Sequence, residues 1–396
     1  MSRQQLIEMA RHNIELYQSG GLDLAADVFK VAAENYYDES RFQQEIGGIF
    51  RRLPLVLAPS AELANPGDYK AMQAAGLPVL LTRDQSGELH AFVNSCSHRG
   101  TAVAVDGTGN RFKFVCPYHG WTFSQEGALV GVASAEEFGE FDRSHYGLTP
   151  LPVLERAGLI WCVLNPESTL DLEAFLCGYD DMLANYALQN WYLFDKRTLR
   201  GPNWKIAYDG YMDLYHLPVL HKDSIGKGVS NKAQYYAWGP HQRVISPARH
   251  EDLQSLPEDK WPSEQLMVGV WTIFPHVSIA SFRGGGRSIM LSQLFPGSEP
   301  GESYTTQYYL MEQAPDEAQA AEARAQFDLL EHVVESEDYA TGFRQQAALK
   351  AGGRDHVLFG RNEGGGHRFH QWVEELLQTP DSRLNELFAN AERPTG

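Results

Sequence analysis

Two short stretches decide the fold of the first half of the chain: Cys96-Ser97-His98-Arg99-Gly100 and Cys116-Pro117-Tyr118-His119-Gly120-Trp121. Each stretch supplies one cysteine and one histidine, and seventeen residues lie between His98 and Cys116. Each follows a β-type run and contains residues that favour turns. We therefore expect two loops that bring two thiolates and two imidazoles together.

These four side chains indicate a metal centre of one of two kinds. Two cysteines and two histidines are compatible with a structural zinc ion. The placement differs from a zinc finger, because each loop contributes one ligand of each kind. A Rieske [2Fe–2S] cluster requires this arrangement, with two thiolates on one iron and two imidazoles on the other. We therefore favour a Rieske cluster held by Cys96, His98, Cys116 and His119, with zinc as the alternative.

Short β-type runs surround the two loops. Gly, Pro and Asp residues separate these runs, which lie at residues 54–57, 79–82, 90–94, 112–115, 121–123 and 159–164. The pattern predicts a small all-β domain over residues 46–165.

A nine-residue stretch in the second half carries two imidazoles and one carboxylate: Asp213-Leu214-Tyr215-His216-Leu217-Pro218-Val219-Leu220-His221. Helical periodicity over residues 205–215 would place Asp209, Asp213 and His216 on one face of a helix. Asp209 receives low weight as a site residue.

The proline of this stretch predicts how the two histidines meet. Pro218 cannot continue the helix, so the chain should turn after His216 and bring His221 back toward it. Two imidazoles could then bind one cation. A solvated surface cluster is the alternative interpretation of the nine residues taken alone.

The two cysteine–histidine stretches, the nine-residue stretch and the intervening Asn203-Trp204-Lys205 resemble the corresponding parts of a known family. This family is the catalytic α subunits of the Rieske non-heme iron oxygenases, the aromatic ring-hydroxylating oxygenases. Respiratory Rieske proteins usually carry an additional cysteine in each loop, and neither loop has one here. The resemblance covers nearly the whole chain. It implies an α+β protein in which an all-β Rieske domain follows leading helices and precedes a helix-grip-like catalytic domain, an antiparallel sheet with helices.

The third iron ligand must come from another part of the chain. Two histidines and one carboxylate form the facial triad of non-heme Fe(II) oxygenases. A helix predicted at residues 316–350 offers four acids: Glu331, Glu335, Glu337 and Asp338. Helical phasing leaves Glu337 nearest the apolar face and Asp338 on its flank, and does not choose between them. The family pattern, an aspartate shortly before the glutamines at 345 and 346, implies Asp338 as the ligand and Glu337 as the fallback.

Asp213 has two candidate roles. Because imidazole ligands usually donate their second N–H to an acceptor, Asp213 could orient His216 instead of binding metal. The resemblance implies a further role, in which Asp213 links His216 to His119 of the neighbouring subunit across a trimer interface. Electron transfer would then be intermolecular.

The rest of the chain has a mixed pattern. Residues 1–45 are predicted to be leading helices that pack with the catalytic domain at 166–396. Within that domain we predict helix at 170–196 and 369–377, a loop at the glycine triplet 364–366, and strands at 268–274, 277–282, 288–295 and 304–311.

Composition limits the classes of partner. The 396 residues suggest two or three domains, and a net charge of −18 argues against a nucleic-acid or anionic-membrane surface. Four scattered cysteines do not suggest a disulfide framework. No apolar run is long enough for a bilayer span, so we expect a cytoplasmic protein.

The expected activity follows from the resemblance. The chain would use electrons from NAD(P)H, delivered by a separate reductase directly or through a ferredoxin, because the sequence has no flavin or nicotinamide fingerprint. O₂ activated at Fe(II) would hydroxylate an organic substrate, with cis-dihydroxylation of an aromatic ring as the expected reaction and a monooxygenase or demethylase as the alternative. A homotrimer is expected, with or without a small β subunit. A pure electron carrier and a zinc-stabilised binding module are the competing classes.

Overall fold

The structure, a computed structural model, describes residues 2–394. It forms two compact units, of which one comprises Phe50–Thr169 and the other the residues on either side of it. The predicted bounds of the all-β domain, 46 and 165, lie a few residues before these. The leading residues therefore belong to the same unit as the C-terminal half.

The Phe50–Thr169 unit consists mainly of small antiparallel sheets, with one short α-helix at Ala135–Phe138. In spatial order, the largest contains Leu89–Val93, Leu77–Arg83, Asp68–Ala74 and Gly107–Asn110. The others contain Val153–Arg156, Leu159–Val163 and Pro54–Pro59, and Lys113–Val115, Thr122–Ser124 and Leu129–Gly131. All six predicted runs are strands, which confirms the all-β prediction. Further strands such as Gly107–Asn110 escaped prediction because Gly-Thr-Gly-Asn is fully exposed and has no apolar alternation.

The second unit is built on an antiparallel sheet. Within the described residues it has seven strands, in the order Tyr192–Gly201, Ser303–Met311, Ser288–Pro296, Val277–Phe282, Val270–Ile273, His241–Ile245 and Gln234–Trp238. The four predicted strands are confirmed. The prediction of helix up to residue 196 is wrong, because Tyr192–Gly201 is an edge strand whose mostly half-exposed or exposed side chains give no clear β alternation.

Helices pack around this sheet. Within the described residues, the α-helices of this unit are Ser2–Ser19, Glu39–Glu45, Leu172–Leu176, Tyr179–Leu183, Trp204–Met212, Leu217–Leu220, Glu251–Gln254, Ser263–Leu266, Glu317–His332, Ala340–Lys350, Gly364–Gln378 and Leu384–Ala389. An α+β fold with antiparallel sheets is thus confirmed. The leading residues are not all helical, because Phe29–Ala32 pairs as a strand with His356–Phe359.

A π-helical segment interrupts the long helix predicted at 316–350. Glu317–His332 and Ala340–Lys350 are α-helical, and the π-helical turns Val333–Tyr339 connect them without a break. Asp316 caps the N-terminus and forms a capping box with Gln319. Single π segments within α-helices often mark functional sites.

The glycine triplet is the clearest local error of prediction. Gly364 begins the helix Gly364–Gln378 and does not lie in a loop.

Within residues 2–394, none of the helices has the length and apolar character that a membrane span requires.

Candidate metal centres

The two cluster loops have the same backbone geometry. The N–H of Cys96 donates to Thr101 O at 2.9 Å, and the N–H of Cys116 donates to Trp121 O at 2.8 Å. In each loop a glycine N–H returns to the cysteine carbonyl, from Gly100 at 2.8 Å and from Gly120 at 3.0 Å. Both glycines have positive φ, +83° and +69°, a conformation that other residues rarely adopt. The glycines therefore let each loop fold tightly around its cysteine.

These loops bring the four predicted ligands together. The Cys96 and Cys116 side chains are buried, and the rings of His98 and His119 are 4.7 Å apart. Burial raises the pKa of the Cys96 thiol, whereas backbone N–H groups of the loop act in the opposite direction. The same N–H groups would stabilise a metal-bound thiolate.

Among the four predicted cluster ligands, one buried nitrogen has no hydrogen-bond partner within the described residues. The Nδ1 atom of His98 is buried, yet no hydrogen-bond partner lies within reach among the described residues. A buried nitrogen without a partner is costly unless it binds something else. Its lone pair and the two sulfurs fit a [2Fe–2S] cluster, which needs imidazole nitrogen and thiolate donors on opposite irons.

Aromatic rings hold both histidines in place. Trp121 stacks on His98 with a centroid distance of 4.9 Å, and Tyr118 stacks on His119 at 3.7 Å. Phe138 adds an edge contact to the His98 ring at 5.6 Å. These contacts restrict the orientation of the imidazoles toward a shared cluster.

The second stretch folds differently from its prediction. The helix that leads to it, Trp204–Met212, is called the ligand helix below. It ends three residues before the predicted end at 215, since Asp213 already has extended backbone angles (φ −107°, ψ 118°). Asp209, Asp213 and His216 therefore do not share one helical face, and that prediction is wrong.

The chain does turn after His216, as predicted, and it does so through a short helix. His216 and His221 flank a short helix, Leu217–Leu220. Pro218 lies in its first turn, where a missing N–H leaves no helical bond unmade. One helical turn thus separates the histidines and lets their rings face each other, with centroids 5.0 Å apart.

A third ligand candidate completes this group. Asp338 Oδ1 lies 3.2 Å from His221 Nε2 and 3.6 Å from His216 Nε2. One ligand atom from each residue lies within 4.8 Å of the other two. Cis ligands of an octahedral ion with bonds of about 2.1 Å are about 3 Å apart, so a small contraction would close the triad on a metal. Two neutral nitrogens and one carboxylate are the donors that non-heme Fe(II) takes.

A carboxylate lies next to the Nδ1 atom of each histidine. Asp213 Oδ2 lies 3.0 Å from His216 Nδ1, and Glu337 Oε2 lies 2.5 Å from His221 Nδ1. Ser224 Oγ also donates to Glu337 Oε2 at 2.7 Å. When Nδ1–H donates to the carboxylate, Nε2 is left to bind the metal, an arrangement common among metal-bound histidines.

The electrostatics of this group are those of a cation site. Burial disfavours the charged form of His221, but the carboxylates of Asp338 and Glu337 outweigh it and raise the pKa of His221. Burial acts to raise the pKa of Glu337, and the hydrogen bonds from His221 and Ser224 reverse this and lower it. The two carboxylates therefore favour positive charge at this site.

The structure thus separates the four candidate acids of the long helix. Asp338 faces the metal-binding nitrogens, and Glu337 contacts the far side of His221. Glu331 forms an ion pair with Arg197 at 3.2 Å, and Glu335 is exposed. The π-helical segment carries both Glu337 and Asp338, and phasing at 3.6 residues per turn could not place them.

Sequence reasoning missed several polar contacts around the ligand helix. Asp209 Oδ1 lies 3.0 Å from His370 Nε2, and its Oδ2 accepts a hydrogen bond from Tyr36 at 3.2 Å. Ser224, which holds Glu337, was also not predicted. Residues 36 and 370 are far from 209 in sequence, and no local pattern could have joined them.

Two family comparisons match these two groups of residues in order. Residues 54–142 match the Rieske [2Fe-2S] domain, and residues 188–379 match the ring hydroxylating alpha subunit (catalytic domain). The chain belongs to the Rieske non-heme iron oxygenases. Its cofactors are those of this family, a Rieske [2Fe–2S] cluster and a mononuclear iron.

Related Rieske oxygenase subunits of different specificity align with part of this chain. The large subunit of anthranilate 1,2-dioxygenase from Acinetobacter baylyi is 27% identical over 241 residues, or 59% of this chain and 49% of the relative. The glycine betaine monooxygenase oxygenase subunit from Pseudomonas aeruginosa is 31% identical over 196 residues, or 49% of this chain and 45% of the relative. The alignments thus span about half the length of these relatives.

Solved Rieske oxygenase structures share the fold over most of their length. Naphthalene 1,2-dioxygenase from a Rhodococcus species, bound to indole, gives a TM-score of 0.74 at 20% identity and covers 96% of this chain and 100% of that one. A quaternary ammonium Rieske monooxygenase gives a TM-score of 0.75 at 21% identity, with coverage of 89% and 96%. The order of the two units is therefore that of a Rieske oxygenase α subunit.

Proposed function

We propose that this chain is the oxygenase component of a multicomponent Rieske oxygenase, which uses O₂ to hydroxylate a small organic substrate. The observation that carries the proposal is the convergence of His216, His221 and Asp338, with one ligand atom from each residue within 4.8 Å of the other two. A Rieske protein that only carries electrons has no need of this second group of donors.

The ligand residues divide between two centres. Cys96, His98, Cys116 and His119 would hold the [2Fe–2S] cluster, and His216, His221 and Asp338 would hold Fe(II). When bound, the cluster supplies electrons one at a time and the Fe(II) supplies a coordination site at which O₂ reacts.

The residues around the second centre prepare it for that chemistry. Asp213 and Glu337 fix the ring orientation of His216 and His221 through their Nδ1 atoms. Because only three side chains would hold Fe(II), a bound ion would keep open positions at which O₂ could react. Glu337 in addition adds negative charge behind His221, which favours a bound cation.

We also propose that electrons reach each iron from a neighbouring protomer of a homotrimer. In this arrangement Asp213 connects His216 to His119 of the adjacent protomer. The cluster takes its electrons from a separate reductase that uses NAD(P)H, directly or through a ferredoxin. Both Asp213 oxygens have partners within the protomer, Tyr215 N–H at 2.5 Å and His216 at 3.0 Å, and these fix the carboxylate in place for such a link.

The first test is metal content with a spectroscopic signature. The purified, anaerobically reconstituted chain should contain about three irons, two in the cluster and one mononuclear. The reduced protein should give the EPR signal of a Rieske cluster. Two irons and no third would refute the oxygenase and leave an electron carrier, and zinc without an EPR signal would support the binding module.

The second test separates two reaction outcomes. The family resemblance favours cis-dihydroxylation of an aromatic ring. Monooxygenation or demethylation is the second candidate, because relatives include glycine betaine and carnitine monooxygenase subunits. Turnover under ¹⁸O₂ with aromatic acids and quaternary amines distinguishes them. A cis-diol with two labelled oxygens supports dihydroxylation. A hydroxylated product with one labelled oxygen, or a dealkylated product together with a labelled aldehyde, supports the second candidate.

A further inference from the structure

The end of the ligand helix is fixed by a side chain outside the metal-binding stretch. The hydroxyl of Tyr235, on the strand Gln234–Trp238, lies 3.2 Å from the carbonyl oxygen of Met212 and 3.2 Å from that of Asn362. Met212 is the last residue of the helix and directly precedes Asp213. One phenolic proton is therefore shared between the helix end and the segment before Gly364–Gln378.

Tyr235 also packs against a small apolar cluster of Leu214, Ala233 and Val244, and Leu217 lies at the edge of the same cluster. Asp213 therefore lies between Met212, whose carbonyl accepts a hydrogen bond from Tyr235, and Leu214, a member of the cluster against which Tyr235 packs. Asp213 itself has extended backbone angles and lies just beyond the last residue of the helix.

The glycine triplet explains how this contact is possible. A Cβ atom on Gly365 would lie 2.7 Å from Tyr235 Cε1 and 3.3 Å from Met212 Cβ, so only glycine fits without displacement. Gln242 Nε2 donates to Gly365 O at 3.1 Å and holds this helix start in place. A Cβ on Gly364 would lie 3.5 Å from the Tyr235 ring, which is an ordinary contact.

The protonation of Tyr235 suits a donor. Burial raises its pKa, and the nearby carboxylates of Asp213 and Glu363 raise it further. The hydroxyl therefore remains protonated over the neutral range and can donate to the two carbonyls.

We propose that Tyr235 is a positioning residue for Asp213, holding the end of the ligand helix so that the Asp213 carboxylate is aimed at His216 Nδ1. The inference rests on the proposed function, in which that carboxylate orients an iron ligand. Tyr235 touches neither metal nor substrate in this role, and its effect passes through Met212 and Asp213.

Tyr235→Phe tests the hydroxyl alone, and the adjacent tyrosine provides a matched control. Tyr236 also donates to a backbone carbonyl, that of Met9 at 3.0 Å, far in sequence from the metal ligands. The assay is Co(II) titration of the full chain with its cluster intact and oxidised and its mononuclear iron removed, followed by the EPR signal of Co(II). Loss of an acceptor behind a metal-bound histidine costs about 10- to 100-fold in affinity, and we expect about three- to tenfold weaker binding for Tyr235→Phe and no change for Tyr236→Phe.

Gly365→Ala tests the same position without removal of the hydroxyl. The added Cβ must displace the Tyr235 ring or Met212, so this variant should weaken Co(II) binding by a similar factor. Gly364→Ala is its control, with the same helix-stabilising substitution and no close contact. A purely structural role for Tyr235 would lower the melting temperature and leave the Co(II) affinity and EPR spectrum unchanged.

The outcomes separate this inference from the proposed function. Unchanged Co(II) affinity in Tyr235→Phe or Gly365→Ala, beside weakened binding in Asp213→Asn, would overturn the role of Tyr235 and leave the function in place. If Asp213→Asn itself binds Co(II) and turns over like the unmodified chain, the failure lies with the function proposed for Asp213. Weaker binding in Tyr235→Phe and Gly365→Ala, with both controls unchanged, supports the inference.

Discussion

Glu337 Oε2 lies 2.5 Å from the Nδ1 atom of His221, on the opposite side of the ring from the Nε2 atom that faces the metal site. Its neighbour Asp338 approaches that Nε2 atom at 3.2 Å. Two adjacent acids therefore contact the two ring nitrogens of one imidazole. Both acids belong to the π-helical segment Val333–Tyr339, which places them next to His221.

Glu337→Gln should weaken the mononuclear metal without emptying the cluster. The substitution keeps the size of the side chain and removes the negative charge behind His221, so we expect affinity to fall by about 10- to 100-fold. Titration of the iron-depleted site with Fe(II) measures this. Glu335→Gln, an exposed acid on the same segment, is the control and should bind as the unmodified chain does. Equal affinity in the two variants would contradict the role of Glu337.

Asp338→Ala should remove the mononuclear iron altogether. With only two imidazoles left, iron content should fall from about three to about two per chain, while the absorption and EPR signals of the cluster persist. Elemental analysis of matched preparations tests this. Retention of the third iron in Asp338→Ala, together with its loss in Glu337→Ala, would make Glu337 the ligand instead.

Much of this site could be predicted because its signals are local. The cysteines and histidines of the cluster lie in pairs two or three residues apart, and His216 and His221 are five apart, so short loops and one helical turn place them. Strands such as Val277–Phe282 and Ser288–Pro296 were predictable for a similar reason, since their residues favour pleated, buried surfaces.

The remaining features depend on contacts between distant residues. The ligand helix ends at Met212 although its periodicity continues, and the carbonyl at this end is bonded by Tyr235 from a different strand. The glycine triplet was predicted to be a loop because the Tyr235 ring, which leaves no room for a Cβ on Gly365, is far away in sequence. Local patterns record propensity, whereas tertiary contacts decide these boundaries.

A buried ion pair at the start of the ligand helix should be important for stability. Lys205 Nζ bonds Glu45, and both side chains are nearly inaccessible, at 1% and 0%. Trp204 Nε1 donates to the same carboxylate at 2.8 Å, and Arg41 contacts its other oxygen at 2.8 Å. Glu45 therefore links the helix Glu39–Glu45 to the ligand helix through hydrogen bonds.

Lys205→Met should lower the free energy of unfolding of the unit that contains the seven-stranded sheet by about 3 to 5 kcal/mol. The substitution leaves the Glu45 charge buried with one partner fewer. Urea unfolding followed by far-UV circular dichroism measures the change. The double variant Lys205→Met/Glu45→Gln should recover part of the loss, since no unpaired charge then remains. A loss under about 1 kcal/mol in Lys205→Met would indicate that Arg41 and Trp204 satisfy Glu45 without it.

Asp213→Asn should separate metal binding from electron transfer. With excess Fe(II) both centres should be filled, yet oxidation of the reduced cluster after addition of O₂ and substrate should slow by about 100-fold or more, because the link between the centres is lost. Stopped-flow absorption of the cluster follows this step. Asp223→Asn, an exposed acid nearby, should react at the normal rate. Normal oxidation in Asp213→Asn would show that this carboxylate does not connect the centres.

Mixed assemblies of two variants would test the proposed transfer of electrons between protomers of a homotrimer. Asp213→Asn leaves a protomer with an intact cluster and a disconnected iron, and Cys116→Ser leaves one with an intact catalytic site and no cluster. Each variant alone should be inactive. Coexpression of the two should restore part of the activity, because a Cys116→Ser protomer can then take electrons from the cluster of an Asp213→Asn neighbour. If electrons stay within one protomer, every mixed trimer is inactive, since neither variant contains a complete path. Coexpression of each variant with the unmodified chain controls for assembly.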